Sequence, residues 1–247
     1  MIPFLSKISV VPAILLLTGC RGDTVRLSQF AVHGIDVSHY QRFIDWEKVA
    51  TEGIDFVFIK ATEGTDYRDS IFHNNWREVK RVGLRRGAYH FFRPSVSAHL
   101  QALNFVSYIP LESGDLPPVL DVEVLDGIPS DRLVDSIRIW LDLVEDKLNR
   151  QPILYTNFKF YQTYLSEHFG EVPLWIARYY QEEPYLTDNR DWHFWQYGNR
   201  GRLPGIEGYV DFNVFKGSSE DLKLLTGDDP DPTYLELADS TYILTAP

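Results

Sequence analysis

The sequence predicts an α/β protein whose core is an incomplete TIM-like β/α barrel with eight strands and about five helices. Short apolar runs alternate with amphipathic segments from His33 onwards, and this spacing is typical of parallel strands joined by right-handed helical crossovers. After Leu174 the amphipathic segments stop while the apolar runs continue, so the last strands lack connecting helices. A flat, doubly wound sheet is the competing arrangement, because helix counts do not establish closure.

The N-terminal segment is apolar and ends at the only cysteine. Residues 8–20 carry no charge, and Lys7 gives them a positive flank. This run is too short to span a bilayer as a helix. It ends in Leu17-Thr18-Gly19-Cys20, which resembles the lipobox of bacterial lipoproteins, where the cysteine receives a lipid and the chain is cut before it. We therefore expect a signal peptide at residues 1–19, a lipid anchor on Cys20 and a linker over 20–32; an ordinary secretory signal is the alternative.

The overall composition excludes several classes of protein. The chain has 247 residues, with 24 basic and 35 acidic side chains and a net charge of −11. Such a chain lacks the basic surface that binding to nucleic acid requires. One cysteine permits neither an intramolecular disulfide nor a cysteine-rich zinc site. No nucleophile elbow, metalloprotease pair of histidines or phosphate-binding loop is present in the sequence.

The barrel is expected at residues 33–216, in eight strands and five helices. The candidate strands are short apolar runs, at Gly34–Val37, Phe56–Ala61, Gly87–Phe92, Pro118–Val122, Pro152–Tyr155, Leu174–Ala177, His193–Tyr197 and Tyr209–Phe212. Five segments with helical periodicity precede the sixth strand, at Trp46–Glu52, Ile71–Val82, Ala98–Ile109, Asp131–Leu148 and Phe158–Phe169.

Residues 217–247 form an acidic C-terminal extension. They contain seven acidic residues and a single lysine, so they carry −6 of the net −11. The Asp- and Pro-rich run at 228–232 is typical of an extended linker.

Four carboxyl groups fall at strand ends, where apolar runs would ordinarily continue. They are Asp36, Asp121, Glu123 and Asp211. Asp121 and Glu123 are two residues apart, so their side chains project to one face of the strand. In a barrel, the C-terminal ends of the strands converge on one mouth, where such folds place their chemistry.

Converging carboxyls repel one another, which keeps at least one of them protonated near neutral pH. A neutral acid beside an ionised one suits glycosidic cleavage, with Glu123 as the acid and Asp121 as the ionised partner. The sequence leaves retention and inversion both open. It also leaves open a divalent cation held by the same carboxylates, and hence a metal-dependent hydrolase.

Aromatic residues also occur at the predicted rim. Tyr89, Tyr155 and Trp175 lie in the third, fifth and sixth candidate strands. Their apolar faces and polar tips suit a sugar ring, which has apolar C–H faces and a hydroxyl edge. We expect these three to line the cleft.

Together these segments resemble glycoside hydrolase family 25, the lysozymes that act as N-acetylmuramidases. The resemblance runs from Gly34 to about Phe215. It rests on the order and spacing of Gly34-Ile35-Asp36-Val37-Ser38-His39-Tyr40-Gln41, Ile44-Asp45-Trp46, Phe58-Ile59-Lys60-Ala61-Thr62-Glu63-Gly64, Gly87-Ala88-Tyr89-His90-Phe91, Asp121-Val122-Glu123, Leu174-Trp175-Ile176-Ala177-Arg178-Tyr179, Trp195-Gln196-Tyr197 and Val210-Asp211-Phe212-Asn213.

The resemblance implies a five-helix, eight-stranded barrel that hydrolyses the β-1,4 bond between N-acetylmuramic acid and N-acetylglucosamine without a cofactor or metal. It implies Glu123 as general acid, Asp121 as the second acid, and Asp36 and Asp211 as outer carboxyls that tune the site. A substrate-assisted route, with Asp121 stabilising the ring formed by the acetamido group, is implied as a hypothesis. The residues expected to contact substrate are Tyr89, Tyr155, Trp175, Arg178, Gln196 and Glu63.

The resulting expectation is an exported muramidase, anchored to a membrane through Cys20 and facing the periplasm or cell exterior. Its partner would be the glycan strands of peptidoglycan, without nucleic acid, and it would act as a monomer. A non-catalytic peptidoglycan-binding barrel is the alternative outside enzyme chemistry.

Overall fold

The structure, a computed structural model, describes residues 23–180 and 182–227. The predicted signal peptide, Cys20 and the 228–247 part of the acidic extension lie outside the described residues. No helix within the described ranges is both long and apolar enough to cross a membrane.

Within the described ranges, nine strands form one sheet, and eight of them close into a barrel. The strands are β1 (Val32–Val37), β2 (Phe56–Glu63), β3 (Tyr67–Arg68), β4 (Arg85–Phe91), β5 (Val119–Asp121), β6 (Ile153–Asn157), β7 (Leu174–Ala177), β8 (Phe194–Gly201) and β9 (Val210–Phe215). Strand β1 pairs with β2 on one side and with β9 on the other, which closes the ring. All eight predicted strands are confirmed, and closure excludes the flat sheet.

One strand of the ring runs against the others. Neighbouring barrel strands are parallel except where β9 pairs with β8 and β1. Because β9 is antiparallel, its N-terminal end lies at the rim where the other strands have their C-terminal ends. Asp211, near the start of β9, therefore lies opposite Asp36 near the end of β1. The short strand β3 only extends β2 at this rim.

Six α-helices occur in the described part of the chain. They are α1 (Trp46–Ala50), α2 (Phe72–Arg81), α3 (Ala98–Val106), α4 (Ser130–Leu148), α5 (Phe158–Phe160) and α6 (Ser219–Leu224). The predicted helix over Phe158–Phe169 is shorter than expected: α5 continues only as a π-helical turn over Tyr161–Leu165 and stops at Ser166, whose backbone is extended. Helix α6 was not predicted, and it begins at a capping box made by Ser218 and Asp221.

The core has two layers, one inside the barrel and one between the barrel and its helices. The inner layer is largely aromatic: Phe58 stacks on Trp175 at 4.5 Å and packs edge-on against Phe194 at 5.2 Å. Leu222 of α6 belongs to this inner cluster and is fully buried, so α6 packs against the inner layer at the end opposite the mouth. A filled interior leaves only the mouth available for a ligand.

The segment at residues 23–30 covers the outer face of β8, against which none of the described helices packs closely. Thr24 makes two hydrogen bonds with the backbone of Arg200. Its N–H donates to Arg200 O at 2.9 Å, and its Oγ1 accepts from Arg200 N at 3.2 Å. Further along, Phe30 packs 6.0 Å from Trp195. Gly198 allows the close approach, because a Cβ there would lie 2.3 Å from Thr24. This N-terminal strap takes the place of a missing outer helix.

Candidate active site

The four predicted carboxyls lie together in a pocket of about 260 Å³ at the mouth of the barrel. The same pocket is lined by four of the six residues expected to contact substrate: Tyr89, Tyr155, Trp175 and Gln196. The strands bring these residues together through their register, since Asp36 pairs with Asp211, and Asp121 lies between Phe91 on β4 and Tyr155 on β6. Residues far apart in sequence therefore meet at one rim.

Asp36 is buried and held by two amides. Its Oδ2 accepts hydrogen bonds from Gln196 Nε2 at 2.7 Å and from Asn213 Nδ2 at 2.8 Å. Burial raises the pKa of Asp36 to about 7; the two amide donors oppose this rise, and the charge of Glu123 adds to it. The carboxyl is thus fixed in place and titrates near neutral pH.

Gln196 lies at the centre of the hydrogen-bond network. Its Oε1 accepts from the hydroxyls of Tyr155 at 2.8 Å and Tyr179 at 2.7 Å, while its amide nitrogen donates to Asp36. The Tyr155 hydroxyl also lies 3.3 Å from Glu123 Oε1, so its single proton can be donated to either acceptor. One side chain on β8 thereby connects two of the four carboxyls.

Glu123 and Asp121 have raised pKa values for the same main reason. Burial raises the pKa of Glu123, while the Tyr155 hydroxyl and the Lys60 charge lower it. Burial and the charge of Glu123 raise the pKa of Asp121 well above its usual range, and Lys60 again opposes the rise. Asp121 Oδ1 is buried and makes no hydrogen bond within the described residues. Both carboxyls therefore keep their protons to higher pH than they would in water.

Asp211 completes the cluster on the opposite side. Burial raises its pKa well above the usual range, and the charges of Asp36 and Glu123 raise it further. Each added negative charge is unfavourable in this buried group, so the four acids share few charges among them. The arrangement can deliver a proton at neutral pH and can stabilise one positive centre.

Lys60 is the only cationic side chain that lines the pocket in the described part of the chain. Its Nζ lies 2.7 Å from Glu63 Oε2 and 5.0 Å from the centre of the Phe91 ring. Only a small part of its surface is exposed. A buried cation so close to four acids offsets part of their mutual repulsion.

Glu63 lies outside this pocket, in a neighbouring groove that it shares with Arg93 and Asp126. Arg93 Nη2 contacts Glu63 Oε1 at 2.6 Å, and Lys60 contacts the other oxygen. Burial raises the pKa of Glu63, but the hydrogen bonds and charges of Lys60 and Arg93 outweigh it and hold the pKa below its usual value. Glu63 is therefore an ionised support for Lys60.

Arg178 also lies outside the pocket. Its guanidinium stacks 4.5 Å from the centre of the Phe158 ring and donates to Glu183 O at 3.1 Å. Trp175 lines the pocket but is almost fully buried, and its Nε1 donates to Asn213 Oδ1 at 2.9 Å. It forms the floor of the pocket and supports Tyr155, whose ring lies 4.4 Å away.

The sequence analysis missed several residues that line the pocket or hold its carboxyls, among them Lys60, Tyr179 and Asn213. Two could have been found from strand alternation. Lys60 has the parity of the inward-facing Phe56 and Phe58 on β2, and Asn213 follows Asp211 by two residues on β9. Tyr179 lies just after β7, where no periodicity predicts its direction. Across the described residues, no group of three or more His, Cys, Asp or Glu side chains has an arrangement that could hold a metal.

Comparison with known proteins agrees with this geometry. The family model described as glycosyl hydrolases family 25 matches residues 35–206. The chain is 45% identical over 201 residues to the uncharacterized protein YegX of Escherichia coli K12, covering 79% of this chain and 74% of YegX. It is 36% identical over 208 residues to Lysozyme M1 of Streptomyces globisporus, covering 78% and 71% of the two chains.

A solved structure shows the same architecture. The family 25 glycosyl hydrolase from Bacillus anthracis superposes with a TM-score of 0.79 at 32% identity, covering 84% of this chain and 99% of that one. The resemblance seen in the sequence is thereby confirmed, along with the α/β barrel that it implied. The chain belongs to family 25 of the glycosyl hydrolases.

Proposed function

We propose that this protein is a muramidase that hydrolyses the β-1,4 bond between N-acetylmuramic acid and N-acetylglucosamine in peptidoglycan. The observation that carries the proposal is the cluster of four carboxyls at the mouth of the barrel, in which Glu123 lines the pocket and has a pKa raised by burial. Membership of a glycoside hydrolase family and the lysozyme name of the Streptomyces relative support this substrate.

Glu123 would act as the general acid. Its carboxyl proton passes to the glycosidic oxygen, the C–O bond breaks, and the bonding electron pair leaves with that oxygen. Burial raises the pKa of Glu123 and so favours its protonated form, and the Tyr155 hydroxyl holds its carboxyl in position. After the sugar leaves, the Glu123 carboxylate can accept a proton from the attacking water.

Asp121 would stabilise the sugar from which the bond has broken. Positive charge develops at the ring in the transition state, and this charge favours the ionised form of a nearby carboxyl. In a substrate-assisted route, the acetamido oxygen attacks the anomeric carbon while Asp121 accepts the acetamido N–H. Asp121 lines the pocket, and its carboxylate would accept that bond. This route predicts retention at the anomeric carbon.

The other residues would position substrate and tune charge. Asp36, held by Gln196 and Asn213, and its neighbour Asp211 bias the protonation of the central pair. Tyr89 and Tyr155 present their rings and hydroxyls to the sugar, above the floor formed by Trp175. Glu63 would act through Lys60, and Arg178 would contact the glycan strand beyond the pocket.

Export and anchoring complete the proposal. The uncharged run ending in Leu17-Thr18-Gly19-Cys20 supports a lipidated Cys20 at the start of the mature chain, followed by a linker, the barrel over 33–216 and the acidic extension over 217–247. When cells are grown with a fatty-acid probe, the probe should label the protein on Cys20, and the Cys20→Ser variant should carry no label. Equal labelling of both would contradict the anchor.

The experiment that tests the catalytic assignment is the Glu123→Gln substitution. It should lower the release of reducing ends from purified peptidoglycan by at least about 1,000-fold, because the amide cannot donate the proton. Glu145→Gln, an exposed position on α4, should retain full activity, and both variants should keep the melting temperature of the parent. Activity of Glu123→Gln above about a tenth of the parent would overturn the proposal.

The two alternatives predict different outcomes. A non-catalytic binding barrel would sediment with peptidoglycan but release no reducing ends even in the unsubstituted protein. A metal-dependent hydrolase would lose activity in EDTA and regain it with a divalent ion. We expect turnover that EDTA leaves unchanged, because Asp36 Oδ2 is already occupied by two amide donors.

A further inference from the structure

One side of the barrel mouth carries a patch of exposed aromatic and cationic side chains, which we call the rim patch: Tyr40, Phe43, Arg200, Arg202 and Tyr209. Phe43 and Tyr40 are 81% and 77% exposed, the largest values among the aromatic residues in the described ranges. Single exposed apolar residues are ordinary on a protein surface, but a group of them beside a ligand pocket indicates a binding surface.

The rim patch is continuous with the catalytic pocket. Tyr40 and Gln41 line that pocket, and Gln41 Nε2 donates to Tyr209 O at 3.3 Å. The loop that follows β1 is also joined to the loop between β8 and β9, since Asp45 N donates to Gly205 O at 2.9 Å. These contacts hold both loops in one surface, so a ligand leaving the pocket on this side meets the rim patch.

The two arginines are arranged around the Tyr209 ring. The guanidinium of Arg202 lies 4.1 Å from the ring centre and that of Arg200 lies 4.9 Å from it. Arg200 Nη2 donates to the Tyr209 hydroxyl at 2.9 Å, and its Nε is buried without a hydrogen-bond partner. Stacking of this kind holds a guanidinium in place while leaving part of its donor edge for a ligand.

Charge distinguishes the rim patch from the groove around Glu63. Arg42, in the same loop as Tyr40, brings the local arginines to three, against the acids Asp23, Asp45 and Glu207. Of these acids, Asp45 is paired with Lys48 at 2.9 Å. Asp23 lies 3.8 Å from Arg202, with both side chains more than half exposed, so the pair is weak. The neighbouring groove holds Glu63, Asp66 and Asp126 around Arg93. An anionic group is therefore attracted to the rim patch more than to this acidic groove.

We propose that the rim patch binds the carboxylates of the peptide stem carried by the peptidoglycan strand whose glycan occupies the pocket. This proposal rests on the proposed muramidase function, because the peptide stem is attached to muramic acid, the sugar that a muramidase binds in its pocket. A carboxylate suits the paired donors of a guanidinium, and the exposed rings of Tyr40 and Phe43 suit the apolar parts of the peptide and sugar. The rim patch makes the enzyme prefer glycan that still carries its stems.

The test compares two substrates from one preparation: peptidoglycan with its stems, and the same strands after an amidase has removed them. Arg200→Gln combined with Arg202→Gln should raise KM about tenfold on the stem-bearing strands, with kcat nearly unchanged, because the lost contacts are made equally in ground and transition states. On stem-free strands the change should stay below about twofold. The matched control is Arg77→Gln with Arg132→Gln, two exposed arginines outside the rim patch.

Binding gives a second readout that does not need turnover. In a Glu123→Gln background, the double substitution should weaken sedimentation with stem-bearing strands and leave stem-free strands unaffected. Arg202→Gln alone, at a side chain 53% exposed, should give part of the effect if the double variant folds poorly. The proposal would be overturned if the double substitution changed binding to both substrates equally, or if it left binding to stem-bearing strands unchanged. It would also be overturned if the substitution weakened binding only to vesicles of phosphatidylglycerol, an anionic lipid. Failure of the unsubstituted protein to cleave either substrate would instead contradict the muramidase function.

Discussion

Gln196 donates its Nε2 hydrogen to Asp36 Oδ2 at 2.7 Å and so joins two strands whose residues are 160 positions apart in sequence. The same amide accepts from the hydroxyls of Tyr155 and Tyr179. Its orientation is therefore determined by its partners: the oxygen faces two donors and the nitrogen faces an acceptor. The amide positions Asp36 and, through Tyr155, Glu123.

Gln196→Glu keeps the size of this side chain but replaces its donor with an acceptor. A carboxylate would face Asp36 without a proton between them, so the variant should lose about 100-fold in kcat/KM and become less stable as the pH rises. Reducing-end assays and urea unfolding at pH 5 and pH 8 measure both effects. Gln151→Glu, at a position distant from the mouth, serves as the control. Parent-like activity and stability of Gln196→Glu at pH 8 would show that the network does not position the acids.

Lys60→Met tests the cation in the pocket. Lys60 lowers the pKa values of both Asp121 and Glu123, so its removal should raise them and move the kcat/KM profile to higher pH. The alkaline limb, where the general acid loses its proton, should shift upwards together with the acid limb. Lys48→Met, in which the exposed lysine of α1 is changed, should leave the profile in place. A reduced rate with both limbs unmoved would assign Lys60 a purely structural role.

Asp36→Asn tests the cost of burying a titratable group. The pKa of Asp36 rises from 3.8 to about 7 on folding, so between those values the folded protein binds more protons than the unfolded chain. Stability of the parent should fall as the pH rises through this window, by up to about 4 kcal/mol from this group. Asparagine cannot ionise, so the variant should gain stability relative to the parent between pH 4 and pH 7.

Urea unfolding at both pH values measures that difference, with Asp142→Asn on the exposed face of α4 as the control. If the gap between Asp36→Asn and the parent is the same at pH 4 and pH 7, then Asp36 has no raised pKa.

Gly198→Ala tests the strap along β8. The added Cβ would lie 2.3 Å from Thr24, so the strap must shift, and the free energy of unfolding should fall by about 1–3 kcal/mol. Thr24→Gly removes the side chain in the way. In a double-mutant cycle, the two substitutions together should therefore cost less than the sum of the single ones. Strict additivity would mean that the strap does not pack against Gly198.

The strands and most helices could be predicted from sequence because each repeats a simple pattern. Apolar runs located all eight barrel strands, and amphipathic periodicity located α1 to α4 at nearly their observed positions. The segment after Phe158 was harder to predict, because its apolar residues have helical spacing although the backbone turns from α to π geometry. Closure of the barrel depends on the pairing of β1 with β9, a long-range contact that local patterns do not contain.

The site could be predicted only in part for a related reason. The four carboxyls stood out because acids interrupt apolar strands, and the structure brings all four into one pocket. Asn213 and Lys60 carry no comparable signal on their own, and their roles follow from partners that meet only in the closed barrel. Glu63 and Arg178 lie at the mouth ends of β2 and β7. The ion pair of Glu63 with Arg93 and the stacking of Arg178 on Phe158 direct their side chains away from the pocket.

The central claim is that the carboxyl cluster cleaves peptidoglycan at muramic acid, and the identity of the new reducing end tests it most directly. Purified peptidoglycan is digested with the protein, the products are reduced with borohydride, and mass spectrometry identifies the reduced sugar. The account predicts that the protein generates reduced N-acetylmuramic acid and that Glu123→Gln generates none. New ends of reduced N-acetylglucosamine, or no new ends with the unsubstituted protein, would contradict it.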